Sequence, residues 1–186
     1  MKVKEWMHRN PPAVRADAPV SEAQRLAEAE GLAILLVVDG DGRLVGFLTR
    51  KALGTAPNPA LPAGKLATAP TVTLTPDDPL ERAVVFLAER YLLLPVVGEG
   101  GRLVGVLTRG GLLRGLAQMT GFGEEGTRIH IRPSQPAEVY RALAVLGAKG
   151  LPLVAVIRGS EGEVILHVQG VEDRDRLMGE LKEALG

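Results

Sequence analysis

The sequence predicts an α+β protein made of three β-α-β-β-α units, the first two of which are copies of one another. Three observations carry this. A nine-residue segment recurs in register, apolar strands alternate with amphipathic helices inside each copy, and the pattern changes after a glycine-rich break near residue 120. Residues 42–50 read GRLVGFLTR and residues 101–109 read GRLVGVLTR, alike at eight of nine positions at an offset of 59. At the same offset VVDGDG (37–42) faces VVGEGG (96–101), Pro11 faces Pro70 and Met7 faces Leu66. Self-similarity at a fixed period marks a repeated supersecondary unit.

Each copy opens with a short extended stretch, residues 12–16 (PAVRA) or 71–75 (TVTLT). A helix follows. In the first copy Ser21 and Gln24 have the spacing of a capping box. In the second, Asp78 stands as the cap, Pro79 at the first helical position and Glu81 in the first turn. Ala23, Leu26 and Ala27 form one apolar stripe, and Ala83, Phe86 and Leu87 the other. Two strands come next in each copy, AILLVVD and RLVGFLTR, then LLLPVVG and RLVGVLTR. Gly40-Asp41-Gly42 and residues 98–101 are hairpin joints. A second helix follows Thr49 or Thr108, with Leu112, Leu113, Leu116 and Met119 as its stripe in the second copy. Between the copies, the Pro-rich residues 55–64 read as a semi-rigid spacer.

Residues 120–126 (TGFGEEG) form the second break. Beyond it, residues 128–132 alternate charge and Ile, as a strand with one apolar face does. Residues 135–138 open a helix carrying Val139, Leu143 and Leu146, and Lys149-Gly150 closes it. Residues 153–157 and 164–168 are strands, and a charged helix with Leu177, Leu181 and Leu185 ends the chain. This order gives a ferredoxin-like half-open sandwich with helices on one face. Its two middle strands are apolar on both faces, so the open face is expected to be covered by a second chain. The domain reading is repeat 1 at 1–56, repeat 2 at 57–119, a linker at 120–126 and a third domain at 127–186.

Composition narrows the function. Apolar residues make up 46%, enough for a packed core. Lys+Arg and Asp+Glu are equal at 22 each, without the basic footprint of a nucleic-acid binder. No Cys is present, which excludes disulfides, thiolate metal sites and cysteine nucleophiles. The longest apolar run is too short to cross a bilayer, and the N-terminus lacks a signal-peptide core. A cytoplasmic protein with no membrane or nucleic-acid partner is expected. No nucleophile stands beside a base, so catalysis is not expected. His130 and His167 fall on neighbouring strands but have no third ligand near them; they read as a polar spot in a sheet.

The doubled unit resembles a CBS-domain pair. The resemblance rests on G-R-L-V-G-hydrophobic-L-T-R closing a hairpin in both copies, the L-P-V-V strand at 94–97, and the opening from Met7 to Pro12. The tail resembles an ACT domain on pattern, and the domain order is similar to the acetoin-utilisation protein B family. The resemblance implies α+β tandem CBS repeats followed by an ACT-type domain. It implies a non-catalytic regulator that binds AMP, ADP, ATP or S-adenosylmethionine between its repeats, requires no cofactor, and forms a homodimer through the CBS pair and the ACT-like sheet. A regulated partner protein is also implied.

The family motif G-h-h-T-x-x-D places its Thr near the ligand and its Asp on the ribose hydroxyls. Thr49 and Thr108 match the Thr. Ala52 and Gly111 stand at the Asp position, so both ribose clamps are missing. Hydrogen bonds to a charged group contribute about 1.5–3 kcal/mol each, so their loss costs on the order of 10²-fold in affinity. The alternative is therefore an interaction protein whose repeats only dimerise. Arg50 and Arg109 follow the Thr residues and could pair with a phosphate, or be solvated strand-end arginines. Thr49 and Thr108 could line a cleft or cap a helix, or do both. Leu36 and Pro95 take the cleft-wall position or pack in the core. Thr71 and Thr73 face a ligand or alternate along a strand. In the tail, Ala137 stands where ACT domains often carry a ligand-contacting Gly, so amino-acid binding is not expected.

Overall fold

The computed structural model describes residues 1–185, Glu89 by its backbone alone; Gly186, the last residue of the third domain as read above, lies outside them. The chain separates into a first unit, residues 1–115, and a second beginning at Leu116.

The first unit runs β1 (His8–Arg9), β2 (Ala13–Arg15), α1 (Val20–Ala29), β3 (Ile34–Val38), β4 (Leu44–Thr49), α2 (Arg50–Gly54), α3 (Arg82–Glu89), β5 (Leu93–Val97) and β6 (Leu103–Thr108). Then α4 (Arg109–Met119) leads into the second unit. One sheet has the order β2-β3-β4 and the other β1-β6-β5. In β3 the period of two sends Leu35 and Val37 into a core with Ala23, Ala27, Leu48 and Leu53, and turns Ile34 and Leu36 to the other face. Leu94 and Val96 of β5 do the same: they pair with Leu107 and Leu74, and all four are buried, as are Leu80 and Leu87. The hairpins turn through Gly42 and Gly101, at φ +78° and +77°, which only glycine adopts freely.

The two repeats exchange their leading segments. Met1 to Arg9 lies on the second repeat: Val3 N donates to Asp78 O at 3.0 Å, Leu80 N to Met1 O at 3.1 Å, and His8 pairs with Val106. The segment before the second repeat lies on the first. Val20 N donates to Leu61 O and Ala63 N to Ala18 O, both at 2.8 Å, and Phe47 and Thr68 exchange bonds at 2.9 and 3.0 Å. Val3 and Ala63, both fully buried, are the equivalent anchors.

This exchange and its surroundings correct four expectations. The Pro-rich segment is a spacer only in its first half, because its second half is anchored to the first repeat: Ala63, which opens the 3₁₀ turn Ala63–Lys65, is buried in that core and Leu61 packs against it. Ser21 does not cap α1, nor Asp78 α3. Each helix is entered from a bridge to the exchanged segment, Pro19–Pro62 or Lys2–Pro79: α1 starts directly at Val20, and α3 follows the already helical Glu81. The caps are Pro19 and Glu81, neither with a side-chain bond. Gln24 instead donates to Leu53 O at 2.7 Å, and Asp78 accepts from Thr75 N at 2.7 Å. The equivalences in this region run at an offset of 60, pairing Met7 with Ala67 rather than Leu66: Gly105 sits against Met7 and His8 as Gly46 sits against Ala67 and Thr68. The expected strand at 71–75 shrinks to a single bridge, Leu74–Val96. In the first repeat Ala16 N extends the ladder to Val38 O; Pro76 takes its place in the second and has no N–H.

The second unit continues with β7 (Thr127–Ile131), α5 (Pro136–Ala148), β8 (Leu153–Arg158), β9 (Val164–Val168) and α6 (Arg174–Leu185), with sheet order β7-β9-β8. Ile129, Ile131, Leu166 and Val168 pack under α5 and α6 against Ala142, Leu146, Leu177 and Leu181. On the other face His167 is 1% exposed. Its cover comes from this chain: a Cβ on Gly121 would lie 2.7 Å from His167 Nδ1, and one on Gly126 2.7 Å from Nε2. The break at 120–126 is thus packed over the sheet, and only glycine lets it approach so closely. His130 is exposed and bonds Glu163 at 2.9 Å.

Candidate functional site

The faces of β3–β4 and β5–β6 that point away from the helices meet between the repeats. Cross-strand pairing puts Ile34 beside Thr49 and Leu36 beside Phe47. In the other sheet it puts Leu93 beside Thr108 and Pro95 beside Val106. Arg43 bridges Arg102, its own counterpart at offset 59. A residue that pairs with its own equivalent lies on an approximate two-fold axis, so the repeats face each other symmetrically. Beside this bridge, the backbone N–H groups of Arg43 and Asp41 hold the Asp39 carboxyl below the usual carboxylate range.

Such an axis should generate two related clefts, and it does. One, of about 280 Å³, is walled by Phe47, Pro70, Val72, Tyr91 and Pro95, with Arg90 at its edge. The other, of about 270 Å³, is walled by Pro11, Pro12, Leu32, Val106 and Thr108, with Glu30 and His8. Ile34, Leu36 and Leu93 line both and form the partition between them. These volumes lie just under the usual range for small-molecule pockets, and the walls are mostly apolar, as such pockets are.

The residues picked from the sequence fall into three groups. Leu36, Pro95 and Thr108 line the clefts. Thr49 and Thr108 are helix N-caps, accepting from Ala52 N at 3.1 Å and Gly111 N at 3.2 Å; for Thr108 both readings hold together. Thr71 reaches a cleft indirectly, through a 2.6 Å hydrogen bond to the Tyr91 hydroxyl. Thr73 is half-buried beside Leu74. Arg50 and Arg109 are occupied elsewhere. Arg109 Nε donates to Leu87 O at 2.8 Å and Tyr91 O at 3.2 Å, binding carbonyls at the end of α3. Arg50 reaches Leu32 O at 3.4 Å, beyond the end of α1, and lines a separate pocket between α1 and α2. Arg109 thus serves the C-terminus of α3, where cations are favoured, while Arg50 reaches a carbonyl three residues past the end of α1.

The two missing-Asp positions differ. Ala52 already carries a Cβ and is half-buried. Gly111 is buried, and a Cβ there would lie 2.6 Å from Trp6 O and 3.2 Å from Leu107 Cδ1. One turn on, Gly115 seats the Trp6 ring, with a Cβ position 3.1 Å from it. The exchanged N-terminal segment occupies the space the second clamp would need. Sequence reasoning missed Phe47, Tyr91, Arg90 and Glu30 as cleft residues. For Phe47 and Tyr91 the signal was present in the comparison of the two copies, where they face Val106 and Leu32 at the offset of 59; for Glu30 and Arg90 that offset gave none, because it sets Glu30 against Glu89 and Arg90 against Gly31.

Among the described residues no cluster of three or more His, Asp or Glu side chains could hold a metal, and no helix is long and apolar enough to cross a membrane. The CBS-domain profile matches residues 3–55 and 63–118. The chain is 31% identical over 108 residues, 58% of its length, to inosine-5′-monophosphate dehydrogenase of Korarchaeum cryptofilum, and spans 22% of that enzyme. It is 31% identical over 121 residues, 63% of its length, to the A-adding tRNA nucleotidyltransferase of Aquifex aeolicus, and spans 15% of it. Among solved structures it resembles a CBS domain pair/ACT domain protein from Thermotoga maritima, with 26% identity and a TM-score of 0.56 over 62% of this chain and 96% of that one. It also resembles CBSX2 in complex with AMP, with 27% identity and a TM-score of 0.57 over 63% and 96%. The two profile matches fall one on each copy of the repeat that builds the facing sheets, and the chain belongs to the CBS-domain family.

Proposed function

We propose that this protein is a non-catalytic regulatory sensor that binds an adenine nucleotide, or S-adenosylmethionine, between its CBS repeats. The observation that carries the reading is the pair of apolar clefts between the two facing sheets, in a chain similar to a CBS pair that binds AMP. A ligand in such a cleft touches both repeats at once. It favours one relative orientation of the repeats, and its effect is bounded by its differential affinity for the two states. The second unit, read as ACT-like on its β-α-β-β-α order and β7-β9-β8 sheet, passes that change to a regulated protein in the cytoplasm. No amino-acid ligand is assigned to it, because α5 begins at Pro136-Ala137 without a glycine turn.

The sensor acts as a homodimer. Val85 on α3 and Leu113 on α4 are each 66% exposed, which favours burial against a second copy through the CBS pair, and β8 leaves Leu153 and Val156 exposed for sheet pairing. Light scattering should give twice the chain mass; a monomer at micromolar concentration would remove this part of the reading.

A second reading, an interaction scaffold with vestigial clefts, is favoured by Ala52 and by the Trp6 carbonyl beside Gly111. Calorimetric titration separates the two. Protein unfolded and refolded to strip carried-over ligand is titrated with AMP, ADP, ATP and S-adenosylmethionine. Saturable heat supports the sensor. No heat and no rise in melting temperature at millimolar ligand would leave the scaffold.

A further inference from the structure

We infer that the two clefts are not equivalent: the cleft of Phe47 and Tyr91 is the ligand site, and Arg90 at its edge selects an anionic adenylate. The inference rests on the sensor reading and deepens it. Four differences between symmetry-related positions carry it, against the motif threonine, which lines the second cleft at Thr108 but not the first at Thr49.

The first is charge. Arg90 and Glu30 are the C-cap residues of α3 and α1, equivalent at the offset of 60 that the structure sets in this region. Each lies at the edge of its own cleft, so one edge is cationic and the other anionic. A phosphate is drawn to the first and repelled from the second.

The second and third are aromatic. Phe47 and Tyr91 wall the first cleft, and their counterparts in the second are Val106 and Leu32. The chain has only one Trp, two Tyr and three Phe, yet two of these line the same cleft. Tyr91 is fixed from two sides, by its 2.6 Å bond to Thr71 and by an edge contact with Phe86 at 6.3 Å between ring centroids. A planar base stacks on a fixed ring, and an aliphatic wall offers less.

The fourth is space. Beside Thr108 in the second cleft, the backbone of Trp6 lies against Gly111. At the matching place in the first repeat Ala52 already accommodates a side chain.

The test is calorimetry on the full refolded chain with AMP and with adenosine, which differ only by the phosphate. Wild type should bind one AMP per chain, and more tightly than adenosine. Arg90→Gln should weaken AMP about fivefold and leave adenosine unchanged, the scale of a partly exposed ion pair. Phe47→Val should weaken both about tenfold, the scale of one base–aromatic stack. Glu30→Gln should change neither. Arg90 and Glu30 are exposed, so these variants should melt with wild type. Two equivalents per chain, or a Glu30→Gln effect as large as that of Arg90→Gln, would overturn the asymmetry and leave the sensor standing. No binding of AMP, ADP, ATP or S-adenosylmethionine by wild type would overturn the sensor, and this inference with it.

Discussion

Restoring the family's missing carboxylate should give opposite results in the two repeats. At Gly111 a Cβ would lie 2.6 Å from Trp6 O, where ordinary contact begins at 3.4 Å. The N-terminal segment would have to withdraw by roughly 0.8 Å, yet it is tied to the second repeat through Val3, Leu80 and the His8–Val106 pairing. Overpacking of this kind costs about 1–3 kcal/mol. For a chain of this size each kcal/mol moves the melting temperature by about 2–4 °C. Gly111→Asp should therefore melt about 2–12 °C below wild type. Ala52→Asp is the control. Thr49 caps α2, so residue 52 is the third helical position, where an acid is favoured by the helix dipole; stability should stay within about 0.5 kcal/mol. Its nucleotide affinity should rise, by up to about 10²-fold if both ribose bonds form. Trp6 is the only Trp, so its fluorescence during thermal melting reports the segment directly. If Gly111→Asp melted with wild type and left Trp6 emission unchanged, the argument that this segment closes the second clamp would be refuted.

Three further outcomes are expected. Asp77 is hydrogen-bonded by Lys2 and Lys4, each at 2.8 Å, and these ammonium groups hold its carboxyl at about 2, below the ordinary 3.8. A folded value below the unfolded one means that the tie acts in full above the ordinary value and is lost as pH falls towards 2. Trp6 emission should shift over that window in wild type, and the shift should shrink in Asp77→Asn. Gly126→Ala would bring a Cβ to 2.6 Å from Val168 O at φ +150°, so it should destabilise the second unit by about 1–3 kcal/mol and speed hydrogen exchange in β9. Gly179→Ala, inside α6 with open space around it, should stabilise that unit by about 0.4–1 kcal/mol in denaturant titration.

The hairpins and their helices were legible because a repeat states each of them twice and the period of two fixes which face is buried. β3 and β5 follow the sequence reading to within a residue. The exchange of leading segments was not legible. It is made by backbone hydrogen bonds around Pro19, Pro62 and Pro79, which leave no side-chain pattern. It also overrode the cap signals at Ser21 and Asp78: α1 starts straight after the bridged Pro19, which leaves Ser21 inside the helix, and the Asp78 carboxyl is taken by Thr75 N and Arg82. The offset of 59 holds for the hairpins but not upstream, because the first repeat spends one more residue, about Gly31 at φ +64°, in leaving its helix. That single residue hid the equivalence of Glu30 and Arg90. At the site, the motif located Thr108 and the cleft wall correctly, but a motif says nothing of what else a guanidinium touches. Arg109 is committed to the carbonyls of Leu87 and Tyr91, a contact between residues 18 and 22 positions apart.

The most direct measurement is a crystal structure of the full chain grown with AMP. The account predicts nucleotide density in the cleft walled by Phe47, Tyr91 and Pro95, with the phosphate within reach of Arg90 and the Thr108 cleft empty. Density confined to the Thr108 cleft, or both clefts empty at saturating AMP, would contradict it.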